Sequence, residues 1–381
     1  MYCIIKVTGE LTPVTPIGVT RLTTGEGGVW ETPCAGVFTA SDNTSFNDAG
    51  KFKSDDVNYK VVKNADGQLE LKPALFVGHS ISLNGDVTLN FFINPKAKGV
   101  NNFNNYKNAK VTFTWDKGQG QEYGTKSVNL LDPEDKNVSV DPTTGYYKVS
   151  CNVAAAHMGH KVLAELYLDT TEPVETNAYS VREYAEIIWK NPSQYDTKNK
   201  PTELQNLVQA MLNYGAMSQV VFEDDLADNT VELVNKVVGD NGYKDVTSDD
   251  IAAKIKHGAS DLKDVATQLG AKYYTTSLLY LSENKLRVYF TPTTYPGQIP
   301  NSGGFTGNKA GYYYYKESDP IAAADLDEQQ TLKVNGVEFN VSALDYAKVI
   351  VENKNNQMNE TQINLAKALF LYNQAANAYF V

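Results

Sequence analysis

Cysteine, histidine and clustered basic residues are all scarce in this chain. Its 381 residues include three cysteines and four histidines. Cys3, Cys34 and Cys151 stand far apart, with no CxxC and no companion histidine spacing, which excludes a zinc knuckle and leaves one disulfide at most. A Cys3–Cys34 pair and three unremarkable thiols both fit that spacing. No run of Lys and Arg offers a phosphate-binding footprint, and a net charge of −11 argues against a nucleic-acid partner. No stretch approaches the ~20 apolar residues of a spanning helix, so membrane insertion is not expected. The opening MYCIIKVTGE lacks the apolar core of a signal peptide, so the protein is cytosolic or its export signal has been trimmed away. No GxSxG-type context supports a nucleophilic serine, and nothing asks for a cofactor. Paired carboxylates leave no local signature, so glycoside hydrolysis stands as a third reading behind two non-catalytic ones.

What is present is a folding chain. Hydrophobic residues at 42% and charged residues at 21% can build real cores, and the length allows two or three domains. Residues 1–77 are rich in Thr, Gly, Pro and Val and read as an N-terminal β region, with a hairpin at YKVVKNADGQLELK turning on Asp66-Gly67. HSISLNGDVTLNFFINP alternates Ile81, Leu83, Val87, Leu89 and Phe91 on one face across Asn84-Gly85 and predicts a second hairpin. Strands follow at KVTFTW (110–115), GYYKV (145–149) and KVLAELYL (161–168). With no helix between them, they predict a small antiparallel β-sandwich.

Periodicity then switches from two to 3.6. In SVREYAEIIWK (180–190), Val181, Tyr184, Ala185 and Ile188 form an apolar stripe, Ser180 and Glu183 a capping box, and Asn191-Pro192 a stop. A second helix carries LQNLVQAMLNYGAMSQVVF from Leu204 to Phe222. Residues 223–270 read as a connector with short helical pieces, among them TVELVNKVV, and Thr247 or Ser248 caps the helix that opens IAAKIK. DNGYKD lacks the alternating oxygen ligands of a calcium loop.

From Tyr273 the plan restarts. SLLYLSENKLRVYFTP parallels the second hairpin, GYYYYKE and TLKVNGVEFNV give further strands, and SALDYAKVIVEN (342–353) parallels SVREYAEIIWKN. INLAKALFLYNQAANAYF (363–380) then parallels the Leu204–Phe222 stretch, with Asn359 and Gln362 forming a capping box. The expected fold is therefore mainly β with α (α+β): β-sandwich-like sheets, each followed by a helical hairpin, in a module duplicated over 78–222 and 271–381.

SISLNGDVTLNFF, YSVREYAEIIWKNPSQYD, LVQAMLNYGAMSQVVF and ALFLYNQAANAYF, in that order, resemble a repeated module of large extracellular and cell-wall-associated proteins of gut Clostridia such as ruminococci. The likeness spans roughly His79 to Val381. It implies an exported, non-catalytic, cell-surface protein, one that adheres to plant polysaccharide or starch, beside carbohydrate-active regions and other surface proteins. A structural spacer or protein-binding stalk is the alternative.

Aromatic residues are abundant, with 24 Tyr, 14 Phe and 3 Trp. Sugar rings pack their C–H faces on flat aromatic side chains, while Asn, Asp and Gln satisfy hydroxyls. Trp115, at a strand end beside Asp116 and Gln119, is the first candidate contact, and Trp30, in a glycine-rich loop, the second. Tyr312 to Tyr315 run along one strand, so two face out if two face in, and Tyr312 and Tyr314 are the pair chosen. Trp189 flanks a helix stripe and reads as packing. His157 and His160 form the one close histidine pair and read as exposed turn residues rather than metal ligands.

Overall fold

In the computed structural model the backbone is described for Tyr2–Lys6, 20–21, 29–33, 37–40, 57–63 and from 69 onward, apart from 84–86, 97–99, 101, 117–121, 223–231, 257, 280–284, 295–296, 301 and 355. Side chains are described from Ala74 onward over the same residues, leaving aside 116, 122–124 and 279. The chain is a mixed α+β protein built on antiparallel sheets. It divides into two compact units, neither continuous in sequence. Met1–Ser80, Asn90–Cys151 and Lys161–Tyr179 form the first, and Ile81–Leu89, Asn152–His160 and Ser180–Val381 the second.

The first unit opens with β1 (Tyr2–Lys6), β2 (Thr20–Arg21) and β3 (Val29–Pro33) in the order β1-β3-β2. Next come β4 (Val37–Ala40), β5 (Val57–Lys63) and β6 (Leu69–Pro73), where the expected hairpin pairs Val61 with Leu71. Its Asp66-Gly67 turn, and the Asn84-Gly85 turn, lie outside the described residues. Eight further strands follow: β7 (Phe76–Ser82), β8 (Thr88–Ile93), β9 (Ala109–Asp116), β10 (Glu122–Asn129), β11 (Val138–Val140), β12 (Tyr147–Asn152), β13 (Val162–Leu168) and β14 (Glu175–Tyr179). They make two sheets, β11-β12-β8-β7 and β10-β9-β13-β14. Strict alternation buries Val162, Ala164, Leu166 and Leu168 of β13, as a strand with one inward face must. Phe91 of β8 meets Phe113 of β9 at 5.6 Å, both fully buried. Cys151 is a buried thiol whose pKa burial pushes up to about 12, against a weaker opposing pull from Lys126. Cys34 and the side chain of Cys3 lie outside the described residues.

In the second unit, α1 (Val181–Lys190) begins at the Ser180–Glu183 capping box, and Pro192 opens the one-turn α2 (Pro192–Tyr195). The long α3 (Pro201–Phe222) is followed by α4 (Ser248–Ala252), capped by Thr247 with Asp250, and α5 (Leu262–Gln268), capped by Asp261. A sheet ordered β15-β16-β18-β17 comprises β15 (Ala271–Leu279), β16 (Lys285–Pro292), β17 (Gly307–Lys309) and β18 (Tyr313–Glu317). The hairpin of β19 (Gln330–Val334) and β20 (Val337–Val341) turns on Asn335 and Gly336, both at positive φ. The chain ends with α6 (Ala343–Glu352) and α7 (Glu360–Phe380), the latter opened by the Asn359–Gln362 box.

α3 and α7 form the centre of this unit. Residues Ala210 to Gln219 of α3 are buried without a break, so the helix is enclosed on every side rather than along one stripe. Tyr214 stacks on Tyr372 of α7, ring centroids 5.7 Å apart, and both are buried. Lys198 and Lys200 donate to the carbonyls of Phe380 and Ala378, placing cations at the negative end of α7. Two fully buried asparagines hold neighbouring backbone to these helices: Asn213 Nδ2 donates to Gly239 O at 2.8 Å, and Asn373 Nδ2 to Ala323 O at 2.8 Å. Residues Val234 to Val238 form turns rather than the helix expected of TVELVNKVV. The Val234 amide donates to Gln219 Oε1 and Gln209 Nε2 donates to Val238 O, so side chains of α3 satisfy backbone groups that a helix would have paired itself. At Gly215 a Cβ would lie 2.9 Å from Met158 Sδ and 3.2 Å from Ala155 O, so the one-turn 3-10 helix Ala155–His157 approaches α3 closely only because the residue is glycine.

His160 corrects the expectation of exposed histidines: it is 7% exposed, and its ring stacks on His157 at 5.4 Å. The turn carrying both is pinned by the Arg182 amide donating to Met158 O, and its approach to α3 draws the second imidazole inward.

Tyr372→Ala is expected to destabilise the protein by ~3–5 kcal/mol in urea unfolding, because a large buried ring leaves a cavity. A second expectation concerns pH. Glu232 bonds Lys236 and Arg182, and these bonds hold its carboxyl at about 2, below the ordinary 4.5. A depressed carboxylate stabilises fully above pH 4.5 and loses that contribution as pH falls toward 2. The Tm difference between wild type and Glu232→Gln should therefore be present at pH 7 and shrink through that window.

Candidate functional site

Strand periodicity gives the second unit's sheet one buried and one open face. Leu286, Val288 and Phe290 of β16 are fully buried, so Arg287 and Tyr289 stand on the other side. On β18, Tyr314 is 6% exposed and packs on Phe305, so Tyr313 and Tyr315 share the open face with Tyr289. Tyr312 precedes the strand, after Ala310 and Gly311 at positive φ, and is half-buried. A bulge between Tyr273 and Thr275 adds Tyr274, 57% exposed.

Part of this face is locked. Arg287 Nε donates to Glu317 at 2.6 Å, Nη2 also bonds Glu317, and Nη1 donates to the Tyr289 hydroxyl at 3.0 Å. The guanidinium then lies over the Tyr315 ring, 4.2 Å from its centroid. Burial works against the Arg287 charge, but its bonds to Tyr289 and Glu317 outweigh that and raise its pKa. Opposite Tyr315 sits Gly307, where a Cβ would come within 2.4 Å of the phenol oxygen; the ring occupies the place of a side chain.

The rest of the face is open. Tyr274 and Tyr313 lie 4.9 Å apart at 48°, and Tyr312 meets Tyr313 edge-on at 5.3 Å. Tyr274, Tyr313, Tyr289, Thr275 and the exposed Lys309 enclose a notch of about 260 Å³.

Beside it, between β15 and α6, runs a cleft of about 800 Å³. Its walls include Tyr273, Thr275 and Ser277 of β15 and Tyr346 and Val349 of α6, and Met358 contributes to the lining. Burial raises the pKa of the Tyr346 phenol; a backbone bond at Leu278 acts the other way, and nearby Tyr273 adds to the rise. Two carboxylates line the cleft, and both hold helix starts: Asp261 accepts from the Lys263 amide at 2.8 Å, and Asp345 from the Ser342 hydroxyl at 2.9 Å. Ser277 Oγ is buried with no hydrogen-bond partner in the protein. Thr275 lines both cavities.

Of the residues expected from sequence, Tyr312 meets Tyr313 on the sheet's open face, Tyr314 packs on its buried side, and the others belong to the first unit. Trp115 is half-buried on the central strand β9, paired with Gly124 and Val162. Asp116 ends β9, and Trp30 lies in β3 rather than in a loop, opposite Ile5 and Arg21. The side chains of Asp116 and Trp30, and all of Gln119, lie outside the described residues. Trp115 belongs to the first unit and Tyr312 to the second. Tyr274, Tyr289, Tyr313, Tyr315 and Arg287 were missed. The alternation LRVYF already places Arg287 and Tyr289 opposite the apolar set, and the Ala310-Gly311 turn would have set the phase of the tyrosine run. Among the described residues no group of three or more His, Cys, Asp or Glu is arranged to hold a metal.

Compared with protein-family models, with curated proteins and with solved structures, the chain matches none.

Gly307→Ala should lower the Tm and change the near-ultraviolet circular dichroism of tyrosine, because Tyr315 must leave its place. Gly303→Ala, with nothing within 4 Å of its new carbon, should leave both unchanged.

Proposed function

We propose that this chain is a non-catalytic, extracellular cell-surface protein that binds glycans, with a starch-like α-glucan as the first candidate ligand. The observation that carries the reading is the open pair Tyr274–Tyr313 beside a notch whose volume suits one sugar ring, with Thr275 and Lys309 able to meet hydroxyls. The exposed Tyr274 and the half-buried Tyr313 are not needed for the sheet's core, which Leu286, Val288, Phe290 and Tyr314 supply.

The resemblance to the ruminococcal surface module belongs to the same proposal, as do the duplicated module and the β-sandwich. Several observations support duplication. One-turn 3-10 helices occur at Ala155–His157 and Ala323–Asp325, each before a strand or hairpin that leads to a serine-capped helix. Arg182 and Leu344, two residues after those serines, donate their amides to Met158 and Leu326. The Phe91–Phe113 contact between two four-stranded sheets favours the sandwich. In the proposed first copy, Asn90 stands where the second has Tyr289.

Affinity electrophoresis in gels containing soluble starch, hydroxyethyl cellulose or mucin tests the reading. Retardation by starch is expected, with Tyr274→Ala weakening it roughly tenfold, ~1.4 kcal/mol. Loss in Trp115→Ala but not in Tyr274→Ala would move the site to the first unit. No retardation in any gel would leave the spacer or protein-binding stalk.

A further inference from the structure

The cleft between β15 and α6, at about 800 Å³, exceeds the notch in volume, and the notch alone gives it no role. Three observations join the two. Thr275 forms part of both walls, so the cavities meet at one residue on the edge strand of the sheet. Ser277, two residues along the same strand, carries a buried hydroxyl that no protein group satisfies, and a polar atom in that state lacks a partner. Val349 stands on the α6 wall 64% exposed, an apolar side chain at the mouth of the cleft that packs on little of the protein.

Charge does not mark the cleft for an ion. Asp261 caps a helix, Asp345 accepts from the capping Ser342, Lys348 pairs with Glu352 at 3.3 Å, and Lys263 is a single exposed cation. What remains is a mixed wall of phenol rings, hydroxyls and the aliphatic side chains of Leu262, Val341, Val349 and Ile350, the lining that suits a ligand with apolar faces and hydroxyl edges.

We propose that the cleft continues the tyrosine notch, so that one linear polysaccharide occupies both and the protein binds several consecutive sugar units rather than a single residue. This inference rests on the glycan reading above. In this arrangement Tyr274 and Tyr313 hold one sugar ring, the chain crosses the strand edge at Thr275, and further units lie in the cleft against Ser277, Tyr346 and Val349.

Isothermal titration of the full chain distinguishes the two readings. The probes are maltose and maltoheptaose for starch, and cellobiose and cellohexaose if hydroxyethyl cellulose is the polymer that retards the protein. Wild type should bind the longer probe at least about tenfold more tightly than the disaccharide. Val349→Arg, at an exposed helix position, and Ser277→Ala should each reduce that ratio toward one and leave disaccharide affinity unchanged. Tyr274→Ala should weaken both probes. Equal affinity for short and long probes in wild type, or a ratio untouched by both cleft variants, overturns the cleft proposal while the notch stands. Absence of binding by every probe overturns both.

Discussion

The second unit depends on the enclosure of α3 and α7. A helix buried on all sides cannot be stabilised by one apolar stripe; every neighbour must be built to meet it, and every polar group it buries must find a bond. The Tyr214–Tyr372 stack places a large ring from each helix at the contact. The buried polar residues do the complementary work. Asn213 and Gln219 fasten the backbone at Gly239 and Val234 to α3, and Asn373 fastens the 3-10 helix at Ala323 to α7. These segments therefore have defined places because the helices beneath them provide the bonds.

That rigidity bears on function. α6 packs with α4 and α7, forming a core of Leu344, Ala347, Ile350, Ala366 and Phe370. Tyr346, which packs against that core, and the exposed Val349 line the cleft. One wall of the cleft thus rests on the central helices, and the other is a strand edge whose sheet buries its apolar face. The locked group of Arg287, Glu317, Tyr289 and Tyr315 has the same effect on the open face: its cation is already paired and stacked, beside the notch that Tyr274 and Tyr313 border.

Much of the architecture was legible in the residues. Capping boxes at Ser180 and Asn359, a helix cap at Thr247 or Ser248, the stop at Pro192, the Asn335-Gly336 turn and the alternation in KVLAELYL each have a local cause, and each is found, the cap at Thr247. β14 was not legible, because ETNAY pairs along only one side and buries little, leaving no apolar rhythm to read. The turns at Val234–Val238 escaped for the opposite reason: a helical rhythm is present, but side chains far away in sequence satisfy the backbone instead. The site was half visible. A surplus of tyrosine drew attention to residues 312–315, yet the choice of Tyr312 and Tyr314 turned on where the strand begins, and a shift of one residue exchanges the two faces. Tyr274 depends on a bulge, which no periodicity announces.

The central claim is that a glycan is held on the open face and strand edge of the second unit's sheet. Hydrogen–deuterium exchange on the full chain, with and without soluble starch, tests it most directly. The account predicts slowed exchange confined to residues 273–277, 309–315 and 345–349. Unchanged exchange throughout, or protection centred on residues 110–115 around Trp115, would contradict it.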